Sequence, residues 1–386
     1  DESIFYYPVY EKTTMQRLTI TRLRCPLCLT LLLCILAPLA QALNIGDAAP
    51  DFTLKGVDNK EHTLSEYSNA KILVVVFTCN HCPTAQAYED SIQELHDNYK
   101  EQGVQLIAIS PNDPTAVRLD ELGYSDVNDS LPEMQLRALE KKFTYPYLYD
   151  GDTQKVSRAY EPVATPHVFI FDQNRKLRYK GRISDNQHKG KAKKFEARDA
   201  IEALLKGEAP PVTKTKTMGC SVKWSDKQQS VKSAEERWAN EPVEVRMLDD
   251  SKLPDIMKNK TENIRLVNVW ATWCGGCVAE FPELIEINRM YRNRNFELVT
   301  LSADEPDKMD QVKTFLEKQQ ASTTNYLVKI NDGENFVQTI DAKWEGALPY
   351  TMLIAPGGEI IYRHEGIIDP LTVKRAIVNY LGRTYK

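Results

Sequence analysis

The sequence has few histidines, no excess of positive charge and no apolar run of transmembrane length. Its six histidines are too few and too scattered to indicate a metal centre built from imidazoles. Acidic residues outnumber basic ones, and the net charge of −5 gives no reason to expect a nucleic-acid partner. The apolar stretch 27–39 is short for a helix that spans a membrane, which needs about 20 residues.

The cysteines are not spread as a structural disulfide framework would be. Three of the eight fall in the N-terminal apolar segment, two pairs have the spacing CxxC, and Cys220 stands alone. The pairs are Cys79 with Cys82 and Cys274 with Cys277. Two such pairs can also bind one zinc ion, but these lie in different halves of the chain, which argues against a shared site. The length of 386 residues favours two or three domains.

Residues 1–42 have the features of an export signal. Arginines precede the apolar stretch 27–39, and Ala40-Gln41-Ala42 follows it. The alternatives are a membrane anchor or a buried helix. We expect Met15 to be the true start, cleavage after Ala42, and a periplasmic or extracellular protein that is membrane-associated if the signal stays uncleaved.

Each CxxC pair follows an apolar, strand-like run and precedes a helical pattern. Residues 264–270 lead into Trp273-Cys274-Gly275-Gly276-Cys277, and residues 72–77 lead into Cys79-Asn80-His81-Cys82. A cysteine at the first turn of a helix is stabilised as a thiolate, the form that attacks a disulfide.

The two pairs therefore predict thiol–disulfide exchange. We assign attack to Cys79 and Cys274, and release of the mixed disulfide to Cys82 and Cys277. A protonated His81 would stabilise the Cys79 thiolate, whereas Gly275-Gly276 offers no charge. This difference predicts a more oxidising first site and a more reducing second site.

The first half, from Ile45-Gly46-Asp47-Ala48-Ala49-Pro50-Asp51-Phe52 onward, resembles the redoxin and peroxiredoxin branch (AhpC/TSA-type) of the thioredoxin superfamily. The second half resembles the TlpA/ResA-like thiol–disulfide oxidoreductases. The resemblance implies an α/β protein with two tandem thioredoxin-like folds, each a central mixed β-sheet flanked by helices. The expected domains are 43–209 and 243–386, joined by an exposed linker, 210–242.

The same resemblance implies further site residues. Pro166 and Pro349 would be cis-prolines facing the two CxxC pairs, and Trp273 and His81 would support the sites. Thioredoxins carry a buried Asp where this chain has Asn268, whose amide cannot accept a proton. Glu280 is a candidate for that role, but we expect it to be a solvent-facing helix residue.

Taken together, the sequence predicts an exported thiol–disulfide oxidoreductase that acts on thiol- or disulfide-bearing proteins. It is expected to need no cofactor and no metal, and reducing chemistry outside the cytoplasm would require a membrane electron donor.

The first alternative is a peroxiredoxin-like peroxidase that the second domain reduces. Cys82-Pro83-Thr84 resembles a peroxidatic C-P-T, but Cys79 stands where that motif has threonine. Weaker alternatives are a copper chaperone using Cys79, Cys82, His81 and His167, and two permanently closed structural disulfides. Cys220 is expected to be inert; the alternative is a third thiol that reaches Cys79 or pairs between chains.

Overall fold

The computed structural model describes residues 43–385, and within this range the strands form two sheets of seven and six strands. The predicted fold class, two tandem thioredoxin-like α/β folds, is confirmed. The predictions for the export signal and for Met15 lie outside the described residues. In the part of the chain that is described, no helix combines the length and apolarity needed to cross a membrane.

The first sheet has the order β2-β1-β5-β4-β3-β6-β7. Strand β3 lies between β4, to which it is parallel, and β6, to which it is antiparallel. Its strands are β1 (Thr53–Gly56), β2 (Glu61–Thr63), β3 (Ile72–Phe77), β4 (Val104–Ser110), β5 (Tyr147–Tyr149), β6 (His167–Phe171) and β7 (Leu177–Gly181). Strand β3 is buried along its whole length because its apolar side chains alternate between two cores, with Val74 and Val76 on one face and Val75 and Phe77 on the other.

Helices cover this sheet on both faces. They are α1 (Pro83–Tyr99), α2 (Leu131–Lys141), α3 (Lys155–Tyr160) and α4 (Glu196–Leu205). Helix α1 begins directly after Cys82, with Pro83 in its first turn, where the missing N–H costs nothing. Its buried face carries Tyr88, Ile92 and Leu95, as the helical spacing predicts.

The second sheet has the order β13-β12-β9-β10-β11-β8. Its strands are β8 (Arg246–Asp249), β9 (Ile264–Trp270), β10 (Phe296–Ser302), β11 (Thr324–Lys329), β12 (Tyr350–Ile354) and β13 (Ile360–Glu365). The helices are α5 (Gln228–Ala239), α6 (Leu253–Met257), α7 (Gly275–Tyr291), α8 (Met309–Lys318), α9 (Gly333–Ile340) and α10 (Pro370–Leu381). Alternation along β9 places Leu266 and Trp270 in the core that includes α7. Each sheet lies within one predicted domain; the domain boundaries themselves stay predictions.

Most residues of the predicted linker are exposed, as its composition suggests, but the linker also makes specific contacts with both folds. The backbone of β7 residue Lys180 exchanges hydrogen bonds with Thr213 and Thr215 (3.0 and 3.1 Å), and Lys223 is buried. Helix α5 buries Trp238, beside the guanidinium of Arg289. The linker is ordered because its unpaired backbone groups and its few apolar side chains find partners on the two folds.

The stretch between β4 and α2 joins the two folds. Val117 and Leu122 are buried in the core that contains α7, and the Tyr291 hydroxyl donates to the Ser125 carbonyl oxygen at 2.7 Å. The sequence showed this stretch only as an extra polar region in the first domain.

Candidate redox sites

The second site lies where β9 ends and α7 begins. Cys274 precedes the first turn of α7 and is bonded to Cys277, and its sulfur accepts the Cys277 N–H at 3.2 Å. Cys277 is fully buried, Cys274 is 8% exposed, and the neighbouring Trp273 is 70% exposed. Of the two sulfurs, Cys274 is therefore the one a partner can approach, as its predicted attacking role requires.

A cis peptide bond joins Leu348 to Pro349, as predicted, and this loop faces the CxxC pair. A Cβ at Gly276 would lie 3.3 Å from the Pro349 Cδ and 3.4 Å from the Ile367 Cγ1. The glycine therefore permits a close approach between the motif and the proline loop.

The expectation that Glu280 faces solvent is wrong. Glu280 is 2% exposed, accepts the Asn268 side-chain amide at 2.8 Å and accepts the Ile368 N–H at 3.0 Å. It lies three residues after Cys277, on the face of α7 that covers β9. Burial raises its pKa above the ordinary value, against the effect of these hydrogen bonds. A buried carboxyl of raised pKa is suited to exchanging a proton with a neighbouring thiol.

The first site has the same position in its own fold, between β3 and α1. Cys79 and Cys82 are free thiols and are buried. The Cys79 sulfur lies 3.1 Å from the Thr165 hydroxyl oxygen, and the Cys82 sulfur lies 3.4 Å from the Thr165 carbonyl oxygen. The Thr165–Pro166 bond is cis, as predicted, and the loop that contains it contacts both cysteines.

A buried ion pair supports this site. The His81 Nδ1 lies 2.6 Å from the Asp129 carboxylate, which also accepts the Asn80 N–H and the Asn112 side-chain amide, both at 2.7 Å. Burial lowers the pKa of His81, but the charge of Asp129 outweighs it and raises that pKa. Burial raises the pKa of Asp129, but the His81 charge and the hydrogen bonds bring it below its ordinary value. His81 is therefore held as a cation.

The charge of this cation lowers the pKa of Cys82, and the predicted attack by Cys79 stays a prediction. Burial raises the pKa of Cys82, yet hydrogen bonds from the neighbouring thiols and the His81 charge bring it well below the usual value. Burial, the contact with Cys82 and the charge of Asp129 all raise the pKa of Cys79. The structure thus favours Cys82 as the thiolate of the first site, because it lies at the helix N-terminus and receives the donors.

Asp129 and Asn112 were missed by sequence reasoning. They lie in polar loops without a motif, and Asp129 is far from His81 in the chain. The only sequence signal for the first site was the strand-and-helix pattern around its CxxC pair, and that pattern does not point to either residue.

The ligand set suggested for copper is not assembled. Among the described residues, the potential ligand atoms that come within 4.8 Å of one another belong to Cys79, His81 and Asp129. His167 lies outside this group, since its Nδ1 accepts the Val163 N–H. The His81 Nδ1 and the Asp129 carboxylate are hydrogen-bonded to each other, so a metal ion would compete with that pair.

Cys220 belongs to the first site. Its N–H donates to the Cys82 sulfur at 3.4 Å, and its carbonyl oxygen accepts the Thr165 N–H at 2.9 Å. The alternative prediction had Cys220 reach Cys79, whereas the structure places it against Cys82; the expectation that its thiol is inert is not tested by this contact.

Known families match both halves. Residues 45–180 match the AhpC/TSA family, and residues 239–377 match the family called Redoxin. The thiol-disulfide oxidoreductase ResA of Geobacillus thermodenitrificans is 26% identical over 141 residues, which cover 36% of this chain and 68% of that protein. ResA of Bacillus thuringiensis strain Al Hakam is 31% identical over 117 residues, which cover 30% of this chain and 61% of that protein. The match thus spans about two thirds or less of each relative.

A solved structure is also similar. The crystal structure of an uncharacterized conserved protein from Geobacillus kaustophilus is 32% identical, with a TM-score of 0.43, and covers 47% of this chain and 93% of that one.

Proposed function

Because the chain belongs to the thioredoxin superfamily, as tandem AhpC/TSA and Redoxin domains related to thiol–disulfide oxidoreductases, we propose that it exchanges disulfides with partner proteins through both CxxC pairs. The observation that carries the proposal is the position of each pair: between a central strand and a helix N-terminus, facing an X–Pro loop. We further propose that exchange takes place outside the cytoplasm, with a membrane electron donor where the partner is to be reduced.

The second site would act as follows when reduced. The Cys274 thiolate attacks a partner disulfide, forms a mixed disulfide and releases one partner thiolate. Cys277 then attacks the Cys274 sulfur, closes the Cys274–Cys277 disulfide and releases the second partner thiolate. Two electrons pass to the partner, and the proton of Cys277 goes to the Glu280 carboxylate, which burial makes a stronger base than an exposed one.

The test is the reduction of insulin disulfides by the full chain, with dithiothreitol as electron donor, in matched Cys274→Ser and Cys79→Ser variants. We expect Cys274→Ser to abolish the reduction and Cys79→Ser to retain most of it, because Cys274 is 8% exposed and lies beside the exposed Trp273, whereas Cys79 is 3% exposed. If the wild type and both variants reduced insulin no faster than dithiothreitol alone, the proposal for the second site would be refuted.

A peroxidase first domain is a second candidate. One support is the pKa of Cys82: burial raises it, but the neighbouring thiols and the His81 charge bring it well below the usual value. The other support is the sequence Pro83-Thr84, which follows Cys82 as in a peroxidatic motif. Peroxide consumption that depends on Cys82 but not on Cys274, with dithiothreitol as reductant, would support it. An unchanged rate in a Cys82→Ser variant would exclude it.

A further inference from the structure

The linker lies against the first redox site through an isolated β-bridge. Cys220 pairs with Thr165 in an antiparallel bridge, next to the X–Pro bond that faces Cys79 and Cys82. Gly219 has φ of +149°, and a Cβ at this position would lie 1.9 Å from the Thr165 carbonyl oxygen. No other residue fits there without displacing the backbone, so the linker is placed closely and in one register.

This register brings three thiols together. The Cys220 N–H donates to the Cys82 sulfur at 3.4 Å, and Cys220 packs against the small cluster that Cys79 and Cys82 form with Ala85. Cys82 is the central sulfur, with one neighbour from its own motif and one from the linker. Cys220 is partly exposed, whereas the other two are buried, so it is the member of the cluster nearest to solvent.

Building on the proposed exchange function, we propose that Cys220 is a third redox thiol of the first site and forms a disulfide with Cys82. Cys220, the member of the cluster nearest to solvent, attacks a disulfide, R–S–S–R, giving a mixed disulfide, Cys220–S–S–R, and its proton goes to the RS⁻ that leaves. The Cys82 thiolate then attacks the Cys220 sulfur, closes the Cys82–Cys220 disulfide and releases a second RS⁻, which takes up a proton from solvent. Cys82 and Cys220 together lose two electrons, and the attacked disulfide gains them.

The first domain would then have two alternative disulfides on one central sulfur. Cys79–Cys82 is closed within the motif, whereas Cys82–Cys220 ties the linker covalently to the site. Exchange between the two needs only attack by the third thiol, with no external oxidant, because the number of disulfides does not change.

The test uses the reduced full chain treated with oxidised glutathione, alkylated and digested with trypsin. Cys79 and Cys82 fall in one tryptic peptide and Cys220 in another, 217–223. In a Cys79→Ser variant we expect these two peptides to be joined by a disulfide, with a yield similar to that of the Cys79–Cys82 disulfide in a Cys220→Ser variant. The wild-type protein should give both products, which also tests the inference where a variant folds poorly.

Two results would overturn the inference, and they differ in what they mean for the exchange function. If Cys79→Ser keeps Cys220 free, or stops at a glutathione adduct of Cys220, while Cys220→Ser closes Cys79–Cys82, the inference fails and exchange at the first site stands. If neither variant nor the wild type forms a disulfide at the first site, while Cys274–Cys277 closes normally, the proposed function fails there as well.

Discussion

At the scale of single residues, the reactivity of the first site depends on the surroundings of the Cys82 sulfur. Thiol donors, a backbone N–H and the His81 cation all act on its sulfur. The motif itself predicted a redox pair, but not which sulfur carries the charge. That depends on Asp129, which lies in another loop, and neither spacing nor periodicity encodes such a long-range contact.

An Asp129→Asn substitution tests this arrangement. The amide no longer holds His81 as a cation, so the pKa of Cys82 should rise and its alkylation by iodoacetamide should need a higher pH. Loss of a buried, fully bonded carboxylate should also lower the free energy of unfolding by about 2–4 kcal/mol. Alkylation is followed by mass spectrometry of the reduced protein. Asp97→Asn, at an exposed helix position, is the control, and an alkylation profile that coincides with wild type would contradict the account.

His167 gives a prediction for acid stability. Burial, with the charges of Lys180 and Lys214, lowers its pKa from 6.5 to about 3. Below pH 6.5 the unfolded chain therefore takes up a proton that the folded chain does not, and stability falls as the pH drops towards 3. Between pH 7.5 and 5 this costs about 2 kcal/mol.

A His167→Gln variant should lack this loss. Urea unfolding at pH 7.5 and pH 5 should show the free energy of wild type falling by about 2 kcal/mol more than that of the variant. Parallel changes in the two proteins would show that His167 does not titrate as described.

At the scale of elements, the central strands and the helices after them were predictable, because β3 and β9 are apolar runs and α1 and α7 have clear starts. Helix α5 was not predicted, since its sequence is charged and only Ala234 and Trp238 are buried. The burial of Glu280 was missed for a related reason: helical spacing from Cys277 places it on the β9 face, but a carboxylate is seldom buried without partners.

Helix α7 supplies the prediction for the second site. Glu280→Gln keeps the size of the side chain but cannot accept the Cys277 proton, so insulin reduction should slow by about ten- to a hundredfold near neutral pH. The loss should shrink as the pH rises, because hydroxide then replaces the missing base. Glu283→Gln, a partly buried position on the same helix, is the control. A uniform loss at every pH would assign Glu280 a structural role only.

At the scale of the whole molecule, the two folds share buried ionic contacts. The Asp126 carboxylate accepts Arg375 at 3.0 Å and also pairs with Arg383, both from the C-terminal part of the chain. Burial raises the pKa of Asp126, but the arginines bring it below the usual value. The carboxylate therefore stays charged between the folds.

Asp126→Asn should weaken this interface. The amide leaves two guanidinium groups without their charged partner, so the free energy of unfolding should fall by about 1–3 kcal/mol. Urea unfolding measures it, with Asp310→Asn, at an exposed site of α8, as the control. Equal stability of the two variants would show that the contact contributes nothing net.

The sequence could not predict how the folds meet. Tandem domains, both CxxC pairs and both X–Pro positions follow from local patterns, whereas the packing of Leu122 on α7 and of Cys220 on Cys82 depends on contacts between distant segments. A composition rich in lysine and proline suggested an exposed linker. The contacts that order the linker are largely backbone hydrogen bonds, which composition does not reveal.

The central claim is that both CxxC pairs are reversible dithiol–disulfide couples. It is tested most directly by equilibrating the full chain in buffers of reduced and oxidised dithiothreitol or glutathione, and mapping each thiol by differential alkylation. We predict two separate two-electron transitions, with the first site more oxidising, because the His81 cation stabilises the reduced Cys82. A site that never closes, or two sites with the same potential, would contradict this account.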